Sequence, residues 1–433
     1  MNNQKTMCGA LQSKQSRPSK ARERGYILMT SAVSLTVLLG FLGLTVDVGY
    51  LQFQKRRIQS AADAAAAGAA FQLASHHSKD TARAEGKYDS KKNGFEDAVN
   101  GVTITINIPP TIGNYTTNNY AAEAIVRQAN PTYFMNLFNI SSVTVAARSV
   151  VIANNSSNCI YALDPSATDA FLANGGATVN VNCGIVVDSS DSKALETKGT
   201  PTNLIASNIS IVGNYNANAG STISPTPTTG AKVVPDPLAY LTAPPVPGTC
   251  DYTNYSLNGG TATINPGTYC NGITAGGTAV VLYLNPGLYI LKGGGLSVAG
   301  GANIISNAGG VTIDNTSGGG YSYKAIAIAG GSTTSLAAPT TSSGGALEGI
   351  LFFDRTGTSA SKEMITGGSG AKFTGALYFP NSEVDYTGGS SGAGDWTIIV
   401  ANQVKFSGAT SLGRDFSNYP DGSPIKQGAT IAE

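Results

Sequence analysis

The chain has 433 residues, of which only 12% are charged and 41% hydrophobic, with 53 Gly and a formal net charge of +1. That balance gives no electrostatic case for a nucleic-acid binder, which needs a basic face, and an aliphatic and aromatic content that includes 19 Tyr argues against a disordered polar chain. What remains is an ordered protein of neutral, hydroxyl-rich surface, long enough for two or three domains.

Residues 1–24 are polar and basic and read as a disordered tail carrying Cys8. The next segment, 25–47, is predicted to be a transmembrane helix. From Ile27 through Leu35, Leu39 and Leu42 to Val46 there is no charge, and at about 1.5 Å per residue this run covers a bilayer core of about 30 Å. Asp47, Gly49 and Tyr50 follow where a cleaved leader would show small residues, so an uncleaved anchor is favoured over a signal peptide or a buried core helix. Six basic residues precede the span (Lys5, Lys14, Arg17, Lys20, Arg22, Arg24) and three follow it (Lys55, Arg56, Arg57). The bias of positive charge places the N-terminus in the cytoplasm and the long remainder outside.

No proline occurs between Val46 and Pro109, and Ile58–Ala74 is built of strong helix formers. The helix is therefore expected to continue as a stalk over 48–76. Ala61, Ala65 and Ala69 stand four apart, as do Ala62, Ala66 and Ala70, a spacing at which another helix backbone can approach closely. Alanines at this spacing either serve such contacts or simply make a good helix, and spacing alone does not separate the two. Gln59 and Asp63 are placed to bond locally at i and i+4.

The ordered combination of R-E-R-G, a uniform apolar span, D-V-G-Y at Asp47, K-R-R-I-Q ending at Gln59, and A-A-D-A-A-A-A-G through Asp63, Ala65 and Gly68 resembles the N-terminal segment of the TadG-like proteins of the tight-adherence (Flp/Tad) pilus system. The resemblance covers about Arg24 to Phe71. It implies an inner-membrane protein, its bulk outside the cytoplasm, that serves pilus assembly or anchoring, and it marks Asp47, Gly49, Gln59, Asp63, Ala65 and Gly68 as helix-packing residues facing other pilus-assembly membrane proteins or pseudopilins. Related pseudopilins are cut after a Gly that has Glu five residues on; here Thr30 stands five after Gly25, so cleavage is not expected.

Residues 77–153 read as a small α+β unit. Gly86, Asn93 and Gly94 are expected to interrupt the helix; V-T-I-T-I-N-I after Gly101 alternates with the strand period; and a second strand, a turn at Asn130 and Pro131, a short aromatic helix and the strand S-V-T-V-A-A-R-S-V-V-I-A-N follow. The family resemblance extends here to Pro131, Thr132 and Phe134, and to Val145, Ala147 and Arg148.

From 154 to 433 short apolar strands recur between Gly, Ser, Thr and Asn turns, with proline concentrated in an extended loop at 224–248. N-P-G-T-Y at Asn265–Tyr269 returns 20 positions later at Asn285–Tyr289, and G-I-L-F-F at Gly349 returns 26 later as G-A-L-Y-F at Gly375. These periods predict a right-handed parallel β-helix, a solenoid of stacked coils; a β-sandwich with long loops is the competing fold. The body also resembles, more loosely, the β-rich extensions of some TadG-like proteins, through C-x-x-x-L-D-P at Cys159 and P-D-P-L-A at Pro235. Outside the cytoplasm, Cys159, Cys183, Cys250 and Cys270 allow two disulfides in three connectivities. The sequential pairs, Cys159 with Cys183 and Cys250 with Cys270, are preferred, with free buried thiols as the alternative.

Catalytic chemistry finds little support. Asp188 and Asp191 read as a solvated turn, Asp354 and Arg355 as a strand end with a surface ion pair, and the Gly-rich stretches 367–370 and 388–395 as flexible corners rather than calcium loops. Adjacent His76 and His77 without a C-x-x-C argue against zinc. The chain is thus expected to need no cofactor and to be a non-enzymatic interaction protein of the bilayer and the pilus machinery, its polar corners and exposed Tyr providing the binding surface. A membrane-anchored adhesin that binds surface polysaccharide is the alternative.

Overall fold

The computed structural model describes residues 20–176, 178–299, 301–329, 334–341, 345–366, 371–387, 389–390, 395–419 and 421–433. The expected tail through residue 19, Cys8 within it, and the corner at 367–370 lie outside them, as do residues 388 and 391–394 of the second corner.

One helix, α1 (Lys20–Ala74), carries both the apolar run and the stalk. Its 55 residues extend about 80 Å at 1.5 Å each, and it is long and apolar enough to cross a membrane. Ile27, Leu35, Leu39, Leu42 and Val46 are all exposed on it, as an apolar surface in lipid would be. The helix stops where His76 takes a left-handed conformation (φ 58°). The N–H groups of His76 and His77 then bond back to the carbonyls of Leu73 and Gln72, which satisfies the orphan acceptors of the last turn.

A second helix, α2 (Lys79–Lys92), follows at once. Gly86 lies inside it and does not break it, contrary to expectation. A single interior glycine costs only about 1 kcal/mol. Against that stand Ser78, whose Oγ accepts the Thr81 N–H, Asp80 in the first turn, Lys91 and Lys92 in the last, and Gly94 (φ 88°) beyond the end.

The strands Val102–Asn107, Ala121–Pro131, Ser142–Asn155 and Lys426–Ile431 form a four-stranded sheet in that order. Val102–Asn107 buries alternate residues, as its sequence pattern requires. The last strand comes from the far end of the chain and pairs antiparallel with Ser142–Asn155, Ile431 opposite Val151. The expected boundary at 153 therefore falls within a strand.

The rest of the body is β-rich, and its described strand pairs are parallel. This rules against the sandwich, whose sheets are antiparallel. Both sequence echoes fall on parallel neighbours. Gly267–Gly276 pairs with Gly287–Lys292, and Ile350–Phe353 pairs with Lys372–Thr387. Tyr269 and Tyr289 stack at 5.8 Å, each hydroxyl bonding the carbonyl four residues before it, and Asn265, Asn285 and Asn307 form a side-chain ladder.

The order of pairing is not the order of the chain. Along one ladder the neighbours are Asn208–Ile211, Gly184–Val187, Asn158–Ala162, Thr397–Ser407, Lys372–Thr387, Ile350–Phe353, Val311–Thr316, Gly287–Lys292, Gly267–Gly276 and Tyr252–Leu257. The first three strands run outward from the middle. The chain then crosses to the opposite end and winds back until its last long strand, Thr397–Ser407, joins its first.

The proline-rich segment makes that crossing as a strap. Nine strand spacings amount to about 43 Å, and the 22 residues of 229–250 reach at most about 70 Å extended, so the span is covered with slack. Its contacts step along the ladder in order. Ala231 N–H bonds the Ile211 carbonyl and Val234 N–H bonds Asp188; Asp236 accepts from Tyr378, the carbonyls of Leu238 and Ala239 accept from Arg355, and those of Pro247 and Gly248 accept from Lys292. Disulfides join Cys250 at the strap's end to Cys270, and Cys159 to Cys183, each pair 5.7 Å apart at Cα. One core runs continuously from Cys159 to Ile425.

Two expectations about polar residues are corrected here. Asp188 is buried rather than solvated, and it holds the strap backbone at 3.0 Å. Asp354 and Arg355 do not pair. Asp354 is wholly buried, whereas Arg355 turns to the strap carbonyls and the Tyr378 hydroxyl. Asp191 does cap its own turn, accepting the Lys193 N–H at 2.7 Å.

Candidate functional site

The residues singled out on α1 converge on this chain's own backbone. Asp47, the first charge after the apolar run, is wholly buried. Its carboxylate accepts the N–H groups of Tyr133 (3.0 Å), Phe134 (2.8 Å) and Met135 (2.6 Å). These are the orphan donors at the start of the short 3-10 helix Met135–Phe138, so a side chain 86 to 88 positions away in sequence supplies the cap that helix lacks locally. Ionised carboxylate against backbone N–H is among the stronger hydrogen bonds.

One turn earlier, Gly43 completes the contact. A Cβ at that position would lie 2.4 Å from the Phe134 ring, so only glycine lets the ring lie against the helix. Thr132 closes the loop from the other side. Its N–H bonds the Ser141 carbonyl at 3.1 Å and its hydroxyl the carbonyl of Ile140.

Further along, α1 grips the strand that follows the loop. Lys55 donates to the carbonyl of Ala146, and Gln59 Nε2 donates both to Asp63 (2.9 Å) and to the carbonyl of Arg148 (3.2 Å). Asp47, Gln59 and Asp63 thus form a clamp with the Pro131–Phe134 and Val145–Arg148 motifs. Ala61, Ala62, Ala65, Ala66, Ala69 and Ala70 are wholly buried within the single chain, so that face is already covered. Gly68 is half-buried, and Gly49 is exposed with open space over its Cα. Sequence reasoning missed Gly43 and Lys55; the one available signal was a glycine four residues before the aspartate that ends the apolar run.

Replacing Asp47 with Ala should leave the protein in the membrane fraction, because the apolar run is untouched, but strip the amides of Tyr133, Phe134 and Met135 of protection. Hydrogen exchange of the full chain checks this. Unchanged protection would mean that the clamp does not hold the loop.

Elsewhere, a cleft of about 550 Å³ is lined by His76, Tyr120, Tyr240, Glu348 and Asp421 among others. His76 stacks flat on Tyr240 at 3.4 Å. Burial, helped by the positive charge of Lys426, pushes His76 down to about 4, so it is neutral near pH 7. Burial raises Glu348 to about 7, with Asp421 adding to the effect. A second carboxyl group, Asp354 with Glu363, is wholly buried and bridged by the Tyr323 hydroxyl.

No curated protein and no solved structure matches this chain. Residues 25–72 match the family model of TadE/G-like Flp pilus-assembly proteins, a segment that ends inside α1 and contains Gly43, Asp47, Lys55, Gln59 and Asp63. The helical half of the clamp is thus a TadE/G-like segment.

Proposed function

We propose that the protein is a single-pass membrane component of a Flp/Tad-type pilus assembly or anchoring system, with a structural rather than a catalytic role. Its N-terminus faces the cytoplasm and its body lies outside, in the periplasm or at the surface. The single observation that carries the reading is the match of residues 25–72, whose polar residues bind the strand and loop bearing the remaining family motifs. On this reading the clamp holds the loop and the strand after it against α1, while exposed Gly49 and the lipid-facing run remain for pseudopilins or other assembly proteins.

The body is a right-handed parallel β-helix on this reading. Parallel registers, the Asn ladder and the Tyr stack support it. A stack of neutral coils suits display and contact more than turnover.

Deleting the gene and counting pili tests the role. Loss of pili, restored by the full chain, is the expected result. Normal pili with lost adhesion would replace this reading with a polysaccharide-binding adhesin.

A further inference from the structure

The loop held by Asp47 presents its apolar side chains outward. Leu137 is 83% exposed, Phe138 68% and Tyr133 61%, and Ile140 is also exposed. Exposed aromatic and aliphatic groups at this density on one short segment call for a covering surface. No charged residue occurs between Arg127 and Arg148, so nothing in the segment opposes entry into a low-dielectric medium.

Its position says which surface. Phe134 lies over Gly43, three residues before Val46, the last apolar residue of the run. At 1.5 Å per residue that is about 4–5 Å below the end of the hydrophobic stretch. The exposed face of α1 at this level, Leu42 and Val46, is itself apolar. The loop and the helix therefore present apolar side chains at the same level, and much of the loop backbone is bonded internally: three N–H groups on Asp47, and those of Leu137, Asn139 and Ile140 on the carbonyls of Phe134, Asn136 and Met135. The Asn136 and Asn139 side chains are exposed and belong at headgroup level. At the interface, where headgroups and water can meet the polar groups left over, a short segment can lie with its apolar side chains at the acyl boundary. Tyr133, packed edge-on against Tyr50 at 5.9 Å, has the amphipathic character favoured at the interface.

We propose that the segment Tyr133–Ile140 dips into the outer leaflet beside α1 as a second membrane contact, with Leu137 and Phe138 among the acyl chains. This rests on α1 spanning the bilayer. Two points of attachment, helix and loop, would fix the rotation of α1 and its clamped loop about the bilayer normal, which a single helix leaves free.

The test uses the full chain with Cys8 replaced by Ser, reconstituted in phosphatidylethanolamine–phosphatidylglycerol vesicles and carrying an environment-sensitive fluorophore on Leu137→Cys, Leu35→Cys or Ile205→Cys. Nitroxide on the lipid acyl chains should quench the probe at 137 and at 35, while aqueous iodide quenches only that at 205. Adding Gly43→Leu, which drives the Phe134 ring off the helix, should shift 137 toward iodide. If 137 is open to iodide while 35 is quenched from the lipid, the inference is wrong and the anchor stands. A probe at 137 shielded from both quenchers would mean that protein covers the loop, again overturning the inference. Should 35 itself be open to iodide, the spanning reading fails and the inference with it.

Discussion

Phe406→Ala is expected to destabilise the body by about 3–5 kcal/mol, the range for emptying a fully buried aromatic site. Phe406 sits at the seam where the last long strand meets the first. It is wholly buried, with its ring 5.6 Å from Phe171 and 5.9 Å from Tyr386. Its strand pairs with Asn158–Ala162 through Ile399, Val400 and Ala401, and with Phe171–Asn174 through Val404 and Phe406. In stacked architectures stability is approximately a sum of unit and neighbour-interface terms. A cavity at the seam therefore weakens the pairing that joins the first strands of the body to the returning ones. Met364→Ala, at a 45% exposed position of the strand Lys362–Thr366, which does not pair with the seam strand, should change stability by no more than about 0.5 kcal/mol. Denaturant unfolding of the full chain in detergent distinguishes them. Equal effects would mean that the seam carries no load.

The second large effect separates two buried carboxyls that look alike in sequence. The Tyr323 hydroxyl lies 2.8 Å from Asp354 and 2.7 Å from Glu363, yet it has one proton to donate. One carboxyl must therefore carry a proton of its own. Asp354 also accepts from Asn315 and from the N–H groups of Thr356 and Gly357, an acceptor-only arrangement that suits the ionised form. Glu363 accepts one backbone N–H, from Ile326. Burial raises it to about 7, and the charge on Asp354 adds to the rise. The proton thus sits on Glu363, which donates to Tyr323, which donates to Asp354.

Removing Asp354 by alanine leaves Asn315, Tyr323, Thr356 and Gly357 donors without this acceptor and should cost about 3–5 kcal/mol. Glu363→Gln should do the opposite, since an amide reproduces the protonated carboxyl. The sign follows from the raised value. Glu363 lends stability that is fully present below about pH 4.5 and lost as pH rises through about 7. The displacement from 4.5 to about 7 corresponds to about 3 kcal/mol. Glu363→Gln should match the wild type at pH 4 and exceed it by up to about 3 kcal/mol at pH 8. A variant less stable than wild type at pH 8 would place the proton elsewhere.

How much of this could be read in the sequence depended on the range of the interactions. The single helix Lys20–Ala74 was legible because its determinants are local: no proline, strong helix formers and an uncharged run. The echoes at Asn265 and Asn285 were legible because neighbouring parallel strands repeat the same Asn and Tyr bonds. The strap's route was not. Proline marks it as extended, but its destinations are Asp188, Tyr378, Arg355 and Lys292, spread across more than a hundred positions. The pairing of Thr397–Ser407 with Asn158–Ala162 likewise leaves no local period to detect. Asp47 shows the same limit at the site. Its place after the apolar run marked it out, but its partners lie 86 to 88 residues on, and only the fold brings three N–H groups to its carboxylate.

The most direct test of the account is the topology of the intact chain in cells, read with one epitope tag before Met1 and another after Glu433. Protease added outside, with the outer membrane permeabilised where one is present, should remove the C-terminal tag and spare the N-terminal one. A C-terminal tag protected with the cytoplasm would contradict the account, because the body could then neither be displayed outside nor meet the outer leaflet through its loop.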